Sequence, residues 1–323
     1  MHDVITIGAG TRDVFLMSDQ FKFIESSVFS TGVGECVALG TKIELDSIVH
    51  TTGGGATNAA VTFARLGFKT AVVCRVGQDS AGRDLIIDLQ REGVDTTMIT
   101  RVVDGATGYS TLLTAPSGER TVLVYRGVSA TFTSKDIPLK DCRARWFYLT
   151  SLGGNLELSK KAIEHAAKCG ASVAWNPGGQ EIKKGMTALK PILRRVSVLN
   201  INREEAEKLT TQKALPYMFR ELATPGRILI ITDGANGAYA HQDGVTIFAG
   251  TRGVKAVSRT GAGDAFGSGF VASYMKTGNV KTALAVGTLN AECVIQEVGA
   301  KAGLLRRWPT ATLMKKVPVK ILK

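Results

Sequence analysis

The chain has 323 residues, 44% of them hydrophobic and 21% charged, proportions near the globular average that exclude wholesale disorder. No apolar run approaches the ~18 residues a spanning helix needs, and Met1-His2-Asp3-Val4-Ile5 lacks the regions of a signal peptide, so a soluble, cytoplasmic protein with no membrane partner is expected. Forty Lys and Arg against 28 Asp and Glu leave a net charge of +12, which suits a protein whose ligands are anions such as nucleotides.

The first predicted element is a buried strand at 4–7, entering Gly8-Ala9-Gly10. A helix over 58–66 carries Ala60, Phe63 and Ala64 on one face and stops at Gly67; a strand over 70–76 follows. The turn at Gly77-Gln78-Asp79-Ser80 opens a helix with Leu85, Ile86 and Leu89, ended by Gly93. Strands at 146–149 and 172–175 flank a helix over 156–169, and 196–199 and 228–231 are further apolar runs. This alternation predicts a parallel sheet covered by helices. Segments 14–50 and 100–127 break it. Both look like β structure, the second with period-two patterning around a turn at 116–119. They are expected to form a small sheet, either a lid over a site or a dimer contact, which divides the chain into a core (1–13, 51–99 and 128–323) and a β lid (14–50 and 100–127). After Glu297 no acid remains, while Lys301, Arg306, Arg307, Lys315, Lys316, Lys320 and Lys323 supply seven positive charges. Trp308 is the only aromatic among them, which favours a solvated basic terminus over a nucleic-acid partner.

Chemistry concentrates where small residues open helices. In Thr260-Gly261-Ala262-Gly263-Asp264-Ala265-Phe266, glycines leave backbone N–H groups free to meet an anion and the helix dipole adds positive charge. Asp264 in that field can take a proton from a hydroxyl, or can simply cap the helix. Gly53-Gly54-Gly55-Ala56-Thr57-Asn58 is a second glycine turn, whose Asn58 can donate and accept to a polyol. Asn202-Arg203-Glu204-Glu205 follows a strand, and its carboxylate either compensates a helix dipole or holds Mg²⁺ through water. No G-x-x-x-x-G-K-[ST] occurs, which excludes a P-loop. The five scattered cysteines, Cys36, Cys74, Cys142, Cys169 and Cys293, offer no zinc spacing and no disulfide framework.

Taken together these motifs resemble the ribokinase-like (PfkB) family of carbohydrate and nucleoside kinases, over nearly the whole chain. Gly53, Gly54, Asn58, Gly67 and Gly77 satisfy the family's first signature, and Asp79, Gly82, Leu85, Leu89 and Gly93-Val94-Asp95 continue its spacing. Residues 258–266 align with its D-T-T-G-A-G-D-A-F, Asn202 and Glu205 with its N-x-x-E, and Gly8 with Asp13 with its opening strand. Gly118-Glu119-Arg120 and Tyr125-Arg126-Gly127 look like its lid. The resemblance implies an α/β fold: a three-layer α/β/α core with a mostly parallel sheet and a small β lid through which a homodimer forms. It implies an ATP-dependent, Mg²⁺-requiring kinase acting on an alcohol of a sugar or nucleoside, with Asp264 as base and Gly261, Ala262 and Gly263 as anion hole. Asp13, Gly54 and Asn58 would hold the acceptor; Asn202 and Glu205 would organise phosphate and Mg²⁺, Glu205 through water. Thr232 and Gly234 would line the nucleotide phosphates, and Gly299 and Ala300 would lie near adenine.

Three departures stand out. Ser258 replaces the signature's first Asp, which leaves a monovalent-cation requirement open; Arg259 replaces its Thr and either clamps a nucleotide phosphate or faces solvent; Thr11 stands where ribokinases often carry Asn. Of the rival readings, a Rossmann oxidoreductase fails because Asp13 occupies the place of the third glycine. A non-catalytic binding protein is opposed by the retained Asp264.

Overall fold

Strict alternation along the apolar strands builds the core. Ile5, Ile7, Phe147, Leu149, Val173, Trp175, Leu199, Ile201, Leu229 and Ile231 pack into one hydrophobic layer, while Val4, Tyr148, Ala174, Val198, Ile228 and Ile230 pack into the opposite one. A parallel sheet needs this double burial, because its crossover helices lie on both faces. The computed structural model describes residues 1–29, 31–114 and 120–322. Its central sheet has nine strands in the order Val319–Leu322, Val245–Ala249, Ala238–Gln242, Ile228–Thr232, Val198–Asn202, Ser172–Trp175, Ala144–Leu149, His2–Ile7 and Thr70–Val73. The last six are mutually parallel; the first three attach antiparallel. Helices Leu156–Lys168, Gly185–Leu193, Arg203–Thr210 and Leu215–Leu222 cover one face. Helices Gly55–Arg65, Ala262–Thr277 and Val280–Val294 cover the other, completing three layers.

A separate four-stranded sheet has the order Arg120–Tyr125, Gly108–Thr114, Thr11–Met17 and Ser47–Gly53. Its strands come from the two segments that broke the alternation. The turn expected at 116–119, with Gly118 and Glu119 of the lid motif, lies outside the described residues. The strands also run through the expected divisions at 13/14 and 50/51: Asp13 and Thr51 pair with each other inside this small sheet. Thr100–Val102 joins Arg75–Gly77 in a two-stranded ribbon instead, because the strand predicted over 70–76 breaks at Cys74 and its second half turns away.

The basic terminus is the clearest correction. Residues 315–322 do not form a free tail: Val319–Leu322 is an edge strand of the central sheet, Val317 is buried, and the Lys320 ammonium sits 5.5 Å from the Phe248 ring centroid. A lysine on an edge strand, here Lys320, protects it from further pairing, so that charge belongs to the fold. No helix among the described residues is long and apolar enough to cross a membrane.

Candidate active site

The site residues gather at the carboxyl ends of the parallel strands, where open α/β sheets bind ligands. The His2–Ile7 strand passes through Gly8-Ala9-Gly10 directly into the small sheet, which carries Asp13 over that edge. Asp13 is buried, and its Oδ1 accepts a hydrogen bond of 2.9 Å from Thr11 Oγ1. Opposite it, Gly53 leaves the space: a Cβ there would fall 1.9 Å from Asp13 Oδ2. Burial raises the Asp13 carboxyl above its ordinary value, opposed by the Thr11 hydrogen bond and by the charge of Lys301.

Gly54 caps the helix Gly55–Arg65 with φ 95°, and a Cβ there would meet the Ala9 carbonyl oxygen at 2.4 Å. One turn in, Asn58 is buried and its Nδ2 donates to Asp264 Oδ2 at 2.8 Å. Its Oδ1 is buried without a donor, the state of an amide that awaits a ligand hydroxyl. Asp264 lies at the third position of the helix Ala262–Thr277, in its first turn, where its side chain accepts the cross-helix hydrogen bond from Asn58. Burial raises its carboxyl, Asn58 lowers it, Asp13 raises it again and Lys301 lowers it.

Beside this pair the backbone opens into a cradle at the N-terminus of the helix Ala262–Thr277. Gly261 caps the helix in the left-handed region, φ 81°, with Ala300 so close that a Cβ would lie 2.5 Å from the Ala300 Cβ. The Ala262 N–H reaches only the Arg259 carbonyl, at 3.4 Å. The first N–H groups of a helix are unsatisfied by the helix itself, and here they share its positive dipole end. The Thr260 Oγ1 at this end is buried and also unpartnered.

On the far side of the cradle lies a cavity of about 620 Å³ whose wall includes Asn202, Thr232, Gly234, Arg259, Ala262 and Gly263. Glu292 on the same wall is ion-paired with Arg252. Asn202 and Glu205 close a reciprocal capping box: the Asn202 N–H donates to Glu205 Oε2 at 2.9 Å and the Glu205 N–H to Asn202 Oδ1 at 2.8 Å. Glu205 stands off the cavity wall and is raised by burial. Gly299 and Ala300 also stand off that wall; they brace the cradle, Gly299 against Thr51 and Ala300 against Gly261. Among the described residues no three His, Cys, Asp or Glu side chains converge as a metal-ligand group. Glu205 offers a carboxylate, an oxygen donor of the kind Mg²⁺ takes.

One residue of the site was hidden in the sequence. Lys301, counted there as tail charge, is turned inward, and its Nζ donates to Thr52 Oγ1 at 2.9 Å. Burial pulls its ammonium from 10.5 to about 8. The available signal was its place immediately after Gly299-Ala300.

A carboxylate raised by burial beside an open helix N-terminus, with a glycine-lined cavity behind, is the layout of α/β proteins that transfer phosphoryl groups. Residues 23–307 match the model of the pfkB family carbohydrate kinases, and the chain belongs to that family. It is a carbohydrate kinase by that membership, an enzyme phosphorylating an alcohol group, with ATP as the co-substrate the family implies. An uncharacterized sugar kinase of Archaeoglobus fulgidus is 29% identical over 75% of this chain and 98% of its own length. A ribokinase of Haemophilus influenzae is 26% identical over 81% of this chain and 87% of its own. Among solved structures, Methanocaldococcus jannaschii nucleoside kinase superposes with a TM-score of 0.75 at 18% identity, covering 97% of each chain. Thermotoga maritima ribokinase does so with a TM-score of 0.72 at 20% identity, covering 98% of each. These likenesses agree in fold with the three-layer core described above.

Proposed function

We propose that the acceptor is a small sugar, or a nucleoside presenting its sugar hydroxyl, bound between Asp13, Gly54 and Asn58, and that Asp264 is the base. The observation that carries this reading is the Asn58–Asp264 hydrogen bond of 2.8 Å at the mouth of the anion cradle. It aims one carboxylate oxygen at the amide and leaves the other for an acceptor hydroxyl. Asp264 takes the hydroxyl proton as its oxygen attacks the γ-phosphorus, and the bond to the ADP leaving group breaks. The N–H groups of Gly261, Ala262 and Gly263 stabilise the charge on the transferring group. The cavity wall formed by Asn202, Thr232, Gly234 and Arg259 holds the nucleotide, with Gly299 and Ala300 supporting the cradle from behind. Glu205 would hold Mg²⁺ through water, and the ion would supply charge neutralisation to the transferring phosphoryl group. The names of the relatives support the acceptor class: ribokinase for Haemophilus influenzae and nucleoside kinase for Methanothermobacter thermautotrophicus.

The test is ADP release from ATP and Mg²⁺ across pentoses, hexoses, their phosphates, keto-deoxy acids and nucleosides. Acceptor-dependent turnover is expected, and Asp264→Asn should lower kcat by about 10³-fold with nucleotide affinity retained. Near wild-type turnover in that variant would remove Asp264 from the role of base.

A further inference from the structure

A lysine turned into the protein is costly unless something uses its charge. Lys301 is half-buried; it has three donors, and the single acceptor it reaches among the described residues is the neutral Thr52 hydroxyl at 2.9 Å. Among the described residues it makes no ion pair within 4.0 Å. Its placement is nonetheless firmly built. Arg65, at the end of the helix that begins beside Gly54 and carries Asn58, donates to the Lys301 carbonyl at 2.8 Å and to that of Leu304 at 2.9 Å. Gly299 packs on Thr51, so closely that a Cβ would lie 2.9 Å from the threonine Cγ2. Thr52 itself is paired with Arg12 across the small sheet, one position from the pairing of Thr51 with Asp13. The ammonium is thereby pinned behind the strand pair that presents Asp13.

The titratable groups around it come from every neighbouring element; the thiol of Cys74 among them is pushed up to about 12 by burial and stays neutral. Asp13 of the small sheet acts on it most strongly among them, followed by Asp88 of the helix Ser80–Arg91, Cys74 at the break of its strand, and Asp264 of the helix Ala262–Thr277. Glu92 feels it as well. Asp13 in turn faces Thr11, Ser110 and Arg12, and Asp264 faces Asn58, Asp13 and the buried Tyr148. Lys301 is the one cation common to the environments of both Asp13 and Asp264.

We propose that Lys301 is the counter-charge of the acceptor site, a positioning residue that keeps Asp13 and Asp264 ionised together so that one can receive acceptor hydroxyls while the other takes a proton. Two carboxylates sharing a desolvated site oppose each other's ionisation, and a fixed ammonium behind them offsets this without occupying the space the acceptor needs. The catalytic part of this inference rests on Asp264 as base; the electrostatic part does not.

The experiment is therefore split. Carboxyl ¹³C shifts of Asp13 and Asp264, assigned with Asp13→Asn and Asp264→Asn, are followed through an acid titration of the protein without substrate. In Lys301→Met the midpoints of both should rise by about one pH unit, while Lys301→Arg should stay near wild type; Lys301→Gln repeats the test if the methionine variant fails to fold. Unmoved midpoints in a folded neutral variant would overturn the proposal, whether or not an acceptor has been found. With an acceptor in hand, the acid limb of kcat/KM should move by the same amount in Lys301→Met and return with Lys301→Arg. Moved midpoints with an unmoved rate profile would keep the counter-charge and instead overturn Asp264 as base.

Discussion

Asp264 sits where a carboxylate is least comfortable. Its carboxyl, like that of Asp13, is raised mainly by burial, so between the ordinary carboxylate range and the higher native value the folded protein binds more protons than the unfolded chain. Stability therefore falls as pH rises through that window. Asp264→Asn removes the charge yet keeps an oxygen for the Asn58 donor. It should raise Tm at pH 7 by about 2 °C while lowering kcat by about 10³-fold, and the gain should vanish below pH ~3.8, the ordinary carboxylate value. Calorimetry of the two proteins across about pH 3 to 8 checks the sign. Lys301 carries the opposite sense: its native value near 8 lies below the ordinary 10.5. Its penalty is full below about pH 8 and is relieved as pH rises. Desolvated charge at a reaction centre is a common stability cost of activity.

At the scale of elements, the helix Gly55–Arg65 does two jobs from its two ends. Its first turn holds Asn58 against Asp264; its last residue, Arg65, ties the segment after Gly299 to Glu92 through bonds of 2.6 Å and 2.8 Å to the carboxylate. The Arg65 side chain is 6% exposed. Arg65→Ala would leave Glu92 without its Arg65 partner and remove a donor from the carbonyls of Lys301, Ala302 and Leu304, and should cost about 3 kcal/mol, read as a lower urea midpoint at unchanged m-value. The capping box of Asn202 and Glu205 shows a related economy. Two residues read as ligands also terminate their own helix, so their side chains are already oriented before any phosphate arrives.

At the scale of the molecule, two surfaces separate fold from function. Removing residues 315–323 deletes the edge strand and the buried Val317. That truncation should lower Tm by several degrees, about the effect of a few kcal/mol, instead of trimming a dispensable basic tail; thermal melts of the two lengths decide it. The outer strand of the small sheet leaves Val122, Leu123, Val124 and Tyr125 exposed by 41 to 59%, an apolar edge that monomers avoid. We propose homodimerisation through this strand. Sedimentation should give a dimer for the wild type and a monomer for Val122→Lys combined with Val124→Lys, with a dimer persisting in the variant counting against this surface.

Much of this could be read in the chain before folding. Continuous apolar runs separated by amphipathic helices point to a doubly covered parallel sheet, because both faces of such strands must be buried. Small residues at 53–58 and 260–266 mark helix starts open to ligands, because side chains there would collide with neighbouring backbone, as Gly54 and Gly261 show. The antiparallel edge strands were less legible: Val319–Leu322 is short, is interrupted by Lys320 and acquires its meaning only from pairing with Val245–Ala249. The Asn58–Asp264 bond joins residues 206 apart, and Lys301 reaches Thr52 across 249. No local pattern encodes such distances. Whether a charged side chain is solvated or buried depends on which distant elements close over it, so the tertiary structure alone turned one lysine of a basic terminus into part of the site.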